Sequence, residues 1–205
     1  MPADTPPETP AQALLDQALE RFHVTLEQAI AQEASEPHAM TIATCDLAGR
    51  PTARTVLMKG FDAEGLTFFS SDLSVKGQQL ATNPRGCAVF HWRTLAQQVI
   101  IEGGITELSN AASDAYWQTR ARDSQLAAWA SRQSQPLSSR KQLLARVAEL
   151  AEEHRDKPVP RPPYWHGFVL APERIEFWQA GKHRLNERDS YELTNGSWML
   201  RLLNP

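Results

Sequence analysis

Residues 39–71 read AMTIATCDLAGRPTARTVLMKGFDAEGLTFFSS and contain three short runs with the composition of β-strands. Turn signals, Ala48-Gly49 and Glu64-Gly65, separate the three runs. The loops between the runs are short enough for antiparallel hairpins. The stretch therefore predicts the beginning of a meander of antiparallel strands.

Further strand-like runs occur on the C-terminal side of this stretch. An Asn195-Gly196 pair within the last of them has the sequence of a tight hairpin turn. Many short strands with a few helices predict a small barrel, of the mostly β with α (α+β) class. The runs are GCAVFHW (86–92), QQVIIEGGITEL (97–108), WHGFVL (165–170), RIEFWQ (174–179) and SYELTNGSWMLRLL (190–203).

Helical segments interrupt the strands. Apolar residues at helical spacing predict one amphipathic helix from Ala11 to Glu33. Glycine and proline are absent from residues 110–130, which favours a continuous helix there. Two more helices are expected at 74–83, with Ser74 as N-cap, and at about 138–154, followed by an extended proline-rich connection at 156–163.

Composition limits the classes of protein to consider. A length of 205 residues with 41% hydrophobic content fits one domain, residues 11–205, after a proline-rich tail at 1–10 that we expect to be disordered. The formal net charge of -3 gives no reason to expect a nucleic acid partner. The N-terminus resembles neither a secretory signal nor a membrane anchor, so a cytoplasmic location without membrane contact is expected.

Cysteine and histidine spacing gives no metal-binding pattern. Cys45 and Cys87 lie far apart in strand-like surroundings, and the six histidines are scattered without ligand spacing. We therefore expect two reduced, buried thiols and no metal site.

The stretch EFWQAGKHRLNER, residues 176–188, suits an anionic, flat ligand. In extended backbone Arg184, Asn186 and Arg188 would share one side, and a guanidinium there could bind a phosphate or a ring oxygen. The alternative is a solvated strand end with ordinary surface arginines.

A second set of cations lies in TARTVLMKG, residues 52–60. Alternation sends Arg54, Val56 and Met58 to one face of the strand, and Lys59 to the other. Arg54 and Lys59 should therefore bind two separate anionic groups, unless both are merely strand ends that reach solvent.

Polar groups with helical spacing could form a phosphate site. Tyr116, Arg120 and Ser124 are four residues apart and would form one polar stripe on a continuous helix, although most such stripes are only a solvated face. Lys76 follows the Ser74 cap, where the helix dipole also favours an anion, although a capped surface helix would look the same. Neutral groups that suit the edge of a heteroaromatic ring are Gln97, Gln98, Gln133 and Ser134.

Six motifs together resemble the pyridoxamine 5'-phosphate oxidase family, in order and with compatible spacing from about Pro37 to Pro205. The resemblance implies a split β-barrel homodimer that binds flavin mononucleotide (FMN) at the subunit interface. It also implies oxidation of pyridoxine or pyridoxamine 5'-phosphate to pyridoxal 5'-phosphate, with oxygen as acceptor and release of hydrogen peroxide. The motifs are RTVLMK (54–59), SVK (74–76), QQV (97–99), RARDSQ (120–125), RQSQ (132–135) and the stretch at 176–188.

The resemblance also assigns site residues. The positions that match flavin contacts are Arg54, Thr55, Val56, Leu57, Lys59, Phe69, Ser70, Lys76, Gln98, Gln133, Ser134, Trp178 and Arg188. The positions that match substrate contacts are Lys59, Tyr116, Arg120, Ser124, Arg184 and Asn186, and the last two are the catalytic candidates because they match residues facing the substrate ring.

The chain departs from the family pattern at several positions. Asn186 replaces a common histidine, and Val75 replaces a common arginine, which predicts weaker flavin retention. Ala121 replaces a common proline, which would let the helix of Tyr116 continue, and an N-terminal arginine-tyrosine element is missing. Two other functions are therefore considered, namely a flavin oxidase for another substrate, such as a phenazine precursor, and a noncatalytic flavin or pyridoxal phosphate binding protein.

Overall fold

The computed structural model describes residues 10–32 and 36–205. The expected disordered tail, residues 1–10, lies outside the described residues except for Pro10, which begins the first helix. The helices are α1 (Pro10–Gln32), α2 (Val75–Thr82), α3 (Asn110–Thr119), α4 (Arg122–Ala130) and α5 (Arg140–Glu153). The strands are β1 (Ala39–Cys45), β2 (Pro51–Leu57), β3 (Gly60–Phe61), β4 (Leu66–Ser71), β5 (Arg85–Trp92), β6 (Gln97–Glu107), β7 (Trp165–Gln179), β8 (Glu187–Thr194) and β9 (Ser197–Leu202).

The strands of the described residues form one antiparallel sheet. Its order is β2-β1-β5-β6-β7-β4-β3, and β8 pairs with β7 and β9. The sheet curls into a half-barrel, with helices at its periphery. This confirms the predicted fold class, a mostly β barrel with α-helices.

Three hairpins of the predicted meander are present, and one is absent. β1 pairs with β2, β5 with β6, and β8 with β9 through a turn in which Asn195 and Gly196 have positive φ values of 52° and 77°. β2 does not pair with β4, so the expected second hairpin is wrong. Instead β4 pairs with the two-residue β3 and along its whole length with β7, because the long β7 offers six consecutive partners.

The runs at 165–170 and 174–179 form one long strand, β7, rather than two. Its pairing with β6 shifts between Glu102 and Gly103, so that Glu173 is left as the extra residue of a β-bulge. Pro172 is tolerated at this irregularity, where a ladder hydrogen bond is already interrupted. The bulge sets the register of all residues beyond it, including Trp178 opposite Gln98.

Replacing Gly103 with alanine should destabilise the protein by about 2–3 kcal/mol. A Cβ atom at Gly103 would lie 1.8 Å from the carbonyl oxygen of Ala171, so the backbone of the bulge must move. Gly104→Ala is the matched control, because a Cβ at Gly104 meets its nearest atom at 3.8 Å. Chemical denaturation measures both variants, and equal stability of the two would contradict the expectation.

The predicted continuous helix at 110–130 is wrong, because the backbone is extended at Arg120 and Ala121. In a continuous helix the carbonyl of Trp117 would accept the N–H of Ala121. It accepts instead the N–H of Arg120 at 3.2 Å and the side-chain amide of Gln125 at 2.8 Å. The helix of Tyr116 therefore ends at Thr119, although Ala121 is not a proline.

Two apolar clusters stabilise the fold. The larger lies between α1 and the sheet, where Phe22 is fully buried and packs edge-on against Phe61 and Phe90. The smaller joins Trp117 of α3 and Leu126 of α4 to residues of α5 and β7. The break at Arg120 lets α3 and α4 bury apolar residues in the same cluster. No helix of the described residues is long and apolar enough to cross a membrane.

Candidate active site

Lys76 is a buried lysine, only 4% exposed. Its Nζ donates to Ser70 Oγ at 2.8 Å, Gln133 Oε1 at 3.1 Å and Ser74 Oγ at 3.2 Å. We refer to Lys76, Ser70, Ser74 and Gln133 as the lysine cluster. All the oxygens around the amine are neutral.

The local sequence determines the position of Lys76. Ser74 caps α2 by accepting a hydrogen bond from the N–H of Gly77. Gly77 has no side chain, and a Cβ there would lie 2.5 Å from the Cα of Asp72. The close approach of strand end and helix directs Lys76 back toward Ser70 at the end of β4. This confirms the predicted cap and explains why a helix of eight residues can present a buried amine.

The amine of Lys76 lacks a counter-ion. The pKa of Lys76 is lowered to about 8, first by burial and then by the nearby charge of Arg54. Across residues 10–32 and 36–205, no carboxylate forms an ion pair with Lys76 or Arg54. Buried charges in proteins are normally paired. Two neighbouring cations without a carboxylate therefore fit an anionic ligand.

Arg54 is held by oxygen atoms of neighbouring strands. Its Nη1 donates to Thr44 Oγ1 at 2.8 Å and to the carbonyl of Ile42 at 3.2 Å, and its Nη2 donates to Thr52 Oγ1. Burial also lowers the pKa of Arg54. The guanidinium is thus fixed in place on the half-buried face of β2.

The other candidates on β2 differ in exposure. β2 pairs only with β1 among the described strands, so one side of its backbone has no sheet partner. Thr55 and Leu57 are exposed, whereas Val56 is half-buried and packs against the larger cluster. Lys59 lies just beyond β2, outside the strand, and is exposed, so its position opposite Arg54 stays a prediction. Ser134 is exposed beside Gln133, with a φ of 68°.

Phe69 points away from the lysine cluster although it precedes Ser70. Its ring stacks on Tyr116, with centroids 3.9 Å apart, and on Trp165, with centroids 5.0 Å apart. Alternation along β4 sends Phe69 and Ser70 to opposite faces. The ring of Phe69 therefore packs beside the predicted substrate group rather than beside Lys76.

Arg120 completes this second group, despite the break in the helix. Its guanidinium lies 4.9 Å from the ring centroid of Trp165, and its Nη2 donates to the backbone carbonyl of Ser124 at 3.3 Å. Its Nε is buried and has no hydrogen-bond partner within the part of the chain that the structure describes. Tyr116, Arg120 and Ser124 thus come together through a turn, not along one helical stripe. A buried donor without an acceptor fits a ligand oxygen at this position.

A third group lies at the other end of the sheet. Gln98 of β6, Trp178 of β7 and Arg188 of β8 are direct cross-strand neighbours. Their side chains therefore share one face of the sheet. The three positions that resemble flavin contacts thus form one row.

Glu176 holds Arg188 in this row. Its carboxylate is 2% exposed and accepts from Arg188 Nε at 2.8 Å and from Arg174 Nη2. The hydrogen bond that Arg188 donates to Glu176 is the main cause that raises the pKa of Arg188. Arg188 Nη1 donates to the carbonyl of Asn204 at 3.1 Å, so two of its three nitrogens are engaged.

The loop before β8 contradicts the expected extended backbone. A 3₁₀ helix spans Lys182–Arg184, and Arg184 has a φ of 64°, so it does not alternate with Asn186 and Arg188. The side-chain oxygen of Asn186 accepts the N–H of Gly181 at 3.1 Å and closes the loop. Arg184 is left exposed at the outside of this loop. A local side-chain bond thus replaces the strand conformation that the sequence pattern favoured.

The first and third groups lie far apart within one chain. His166 of β7 stands opposite Ser70 in the sheet. Trp178 lies twelve residues further along the same strand, which is about 40 Å of strand at about 3.3 Å per residue. The structure therefore brings the candidates together in separate groups rather than in one.

Sequence reasoning missed several residues that contact the candidates. Thr44, Thr52, Trp165 and Glu176 received no role, because their contacts join distant strands. Gln79 lies three residues after Lys76 on α2, and this helical spacing is the signal that could have indicated it.

A curled antiparallel sheet that buries the amine of Lys76, with no carboxylate paired to it among the described residues, is the architecture of a split-barrel protein with a candidate anion site. Residues 26–155 match the family model described as pyridoxamine 5'-phosphate oxidase, and residues 165–205 match the model of the pyridoxine 5'-phosphate oxidase C-terminal dimerisation region. The chain belongs to the pyridoxamine 5'-phosphate oxidase family.

Relatives with high identity carry one name. A protein of Alkalilimnicola ehrlichii named pyridoxine/pyridoxamine 5'-phosphate oxidase is 52% identical, over 94% of this chain and 99% of that protein. A Myxococcus xanthus protein of the same name is 45% identical, over 91% of each chain. The predicted family is thereby confirmed.

Solved structures share the fold. PhzG from Burkholderia lata, in complex with tetrahydrophenazine-1-carboxylic acid, has a TM-score of 0.85 and 31% identity, over 100% of this chain and 97% of that chain. A pyridoxamine 5'-phosphate oxidase-related, FMN-binding protein of Nostoc punctiforme has a TM-score of 0.66 at 19% identity, over 97% of this chain and 98% of that chain. The second comparison supports the fold alone.

Proposed function

We propose that the protein is an FMN-dependent oxidase that converts pyridoxine or pyridoxamine 5'-phosphate to pyridoxal 5'-phosphate. The observation that carries the proposal is the buried amine of Lys76, which has no carboxylate partner among the described residues and lies near Arg54. The FMN phosphate would supply the missing negative charge. The names of the relatives with 45–52% identity support the substrate.

The second group would bind the phosphate of the substrate. The unpaired Nε of Arg120 supports this role, since a phosphate oxygen could accept its hydrogen bond. Tyr116, Ser124 and Lys59 would add a phenol, a hydroxyl and an amine. Separate sites for two phosphates agree with the predicted placement of Arg54 and Lys59 on opposite faces.

A second copy of the chain would complete the flavin site. The family model for residues 165–205 is described as a dimerisation region, which supports a homodimer. The long separation between Trp178 and the lysine cluster favours an arrangement in which one subunit supplies the phosphate-binding groups. Its partner would then supply the row of Gln98, Trp178 and Arg188 to the same FMN.

The residues of this chain would bind, orient and protect the reactants. Bound FMN would supply the redox chemistry, as acceptor of a hydride from the substrate and donor of electrons to oxygen. Arg184 would cover the substrate ring and stabilise charge that develops on it. The oxygen of Asn186 already accepts one hydrogen bond from Gly181, so its amide nitrogen would be the freer group for a contact with the substrate.

One experiment tests the proposed activity directly. The purified protein should show a flavin spectrum, and anaerobic addition of pyridoxine 5'-phosphate should bleach it. Pyridoxine without phosphate is the control, and it should bleach the flavin far more slowly because Arg120 would find no phosphate. A flavin that stays oxidised with both pyridoxine and pyridoxamine 5'-phosphate would overturn the proposed reaction.

Replacing Arg184 with alanine should lower kcat/KM by about 10- to 100-fold while FMN affinity changes less than about twofold. The reason is that Arg184 would contact the substrate ring and not the flavin. Lys182→Ala, which removes an exposed cation from the same loop, is the matched control. Wild-type kcat/KM in the Arg184 variant would refute the assignment.

One structural relative supports a second candidate, a flavin oxidase for a phenazine precursor. PhzG was crystallised with a tetrahydrophenazine carboxylic acid, and it covers the whole chain at 31% identity. The presence of Arg120, Tyr116 and Lys59 favours a phosphorylated substrate. Bleaching by a phenazine precursor, without bleaching by the pyridoxine phosphates, would select this candidate.

The proposal also covers the alternative without catalysis, the domain and the location. A noncatalytic flavin or pyridoxal phosphate binding protein is the outcome if no substrate bleaches the flavin. One FMN-binding domain over residues 11–205 is favoured because β1 to β9 belong to one sheet. The cytoplasmic location stays a prediction.

A further inference from the structure

We propose that Gln79 is a positioning residue that aims the guanidinium of Arg54 at the flavin phosphate. This inference rests on the proposed FMN site, but it concerns a residue that would not touch FMN. Gln79 lies on α2, its side chain is 7% exposed, and it forms hydrogen bonds with two threonines that contact Arg54.

The hydrogen bonds form a connected chain. Thr44 Oγ1 donates to Gln79 Oε1 at 2.5 Å, and Thr52 Oγ1 donates to the same oxygen at 2.8 Å. Each hydroxyl oxygen in turn accepts from Arg54, at 2.8 Å for Thr44. One amide oxygen therefore sets the direction of both hydroxyl groups.

The available protons determine which group donates in each of these hydrogen bonds. Arg54 can only donate, so both threonine oxygens must accept from it, and each hydroxyl must place its own proton elsewhere. The carbonyl oxygen of Gln79 is the acceptor for both. The amide nitrogen of Gln79 faces the carbonyl of Arg50 at 3.4 Å, which agrees with this orientation of the amide.

The position of Gln79 couples the two cations of the site. Lys76 and Gln79 are three residues apart on α2, so both lie on the same side of the helix. Lys76 reaches the lysine cluster directly, and Gln79 reaches Arg54 through β1 and β2. The short helix α2 thus fixes an amine and a guanidinium relative to each other, and a phosphate held by both requires this spacing.

The test compares binding of FMN with binding of riboflavin, which has the same ring system but no phosphate. Flavin-free full-length protein is titrated with each flavin, and quenching of flavin fluorescence is measured. Gln79→Met should weaken FMN binding by about 10- to 100-fold and change riboflavin binding by less than about twofold. Gln78→Met, at the exposed neighbouring position of α2, should leave both affinities unchanged.

A second pair of variants covers the case in which Gln79→Met does not fold. Thr52→Val removes a hydroxyl between Gln79 and Arg54 at nearly constant volume, and it should weaken FMN binding selectively. Thr52→Ser keeps the hydroxyl and should restore FMN affinity to within about threefold of the unaltered protein.

The outcomes separate this inference from the proposed function. If the unaltered protein binds FMN no more tightly than riboflavin, the phosphate site itself is wrong. If the unaltered protein prefers FMN and the Gln79 and Thr52→Val variants keep that preference, only the positioning role is overturned. An equal loss of affinity for both flavins would also overturn it, because it would indicate general damage to the fold.

Discussion

Lys76→Met should weaken FMN binding by about 30- to 1000-fold, which corresponds to about 2–4 kcal/mol, and should stabilise the flavin-free protein. The amine is buried among neutral oxygens and near Arg54, so it costs stability until a phosphate neutralises it. Fluorescence titration with FMN and thermal unfolding of the flavin-free protein measure the two effects. The specific expectation is that the same substitution weakens FMN binding and raises the stability of the flavin-free protein.

Two further variants sharpen this prediction. Lys141→Met removes an exposed lysine from α5 and should change neither quantity. Val75→Arg adds a cation at the first position of α2 and should tighten FMN binding, since Val75 is 40% exposed and has room for a longer side chain. Unchanged FMN affinity in Lys76→Met would place the flavin phosphate elsewhere.

The pH dependence gives an independent measurement of the same effect. The pKa of Lys76 is lowered from 10.5 to about 8 in the folded protein. Between these values the unfolded chain binds more protons, so the free energy of unfolding of the flavin-free protein should rise with pH across this window. FMN affinity should fall above about pH 8, because binding must then also restore a proton to the amine. Lys76→Met should lack both pH effects.

Glu176→Leu should lower the free energy of unfolding by about 2–4 kcal/mol. Glu176 is 2% exposed and pairs with Arg174 and Arg188, so its removal leaves two arginines without their shared carboxylate. Both arginines are about 30% exposed, and water can therefore compensate part of the loss. Urea denaturation at fixed protein and flavin concentration measures the change.

A control distinguishes the loss of the ion pairs of Glu176 from the general effect of removing a negative charge. Glu187→Leu removes an exposed carboxylate at the start of β8 and should change stability by less than about 0.5 kcal/mol. Glu176→Gln keeps the shape of the side chain and should fall between the two. A Glu176→Leu variant as stable as Glu187→Leu would show that the ion pairs of Glu176 contribute nothing to the stability of the fold.

Local patterns in the sequence predicted much of the fold correctly. Strand alternation placed Arg54 and Val56 on the half-buried face of β2, and the Asn195-Gly196 pair forms the expected hairpin turn. Ser74 caps α2 as predicted. Each of these features depends on residues that are close in the sequence, where backbone geometry and short-range hydrogen bonds decide the conformation.

Predictions failed where a side chain a few residues away formed a hydrogen bond that the periodic pattern does not show. The amide of Gln125 bonds to the Trp117 carbonyl, and the helix ends at Thr119 although no proline follows. Asn186 bonds to Gly181 and holds Arg184 in a turn rather than a strand. In both cases a side chain replaced a backbone hydrogen bond that the periodic pattern assumed.

By itself, the sequence determined most of the strands, the α2 cap and the family, because these depend on residue types at short, fixed spacings. Only the tertiary structure revealed that Lys76 is buried with no carboxylate partner among the described residues, that Gln79 reaches Arg54 through two threonines, and that Glu176 holds Arg188. The physical reason is that burial and long-range pairing depend on which strands become neighbours. That choice is made by the packing of the whole sheet, in which β4 pairs with β7 rather than with β2.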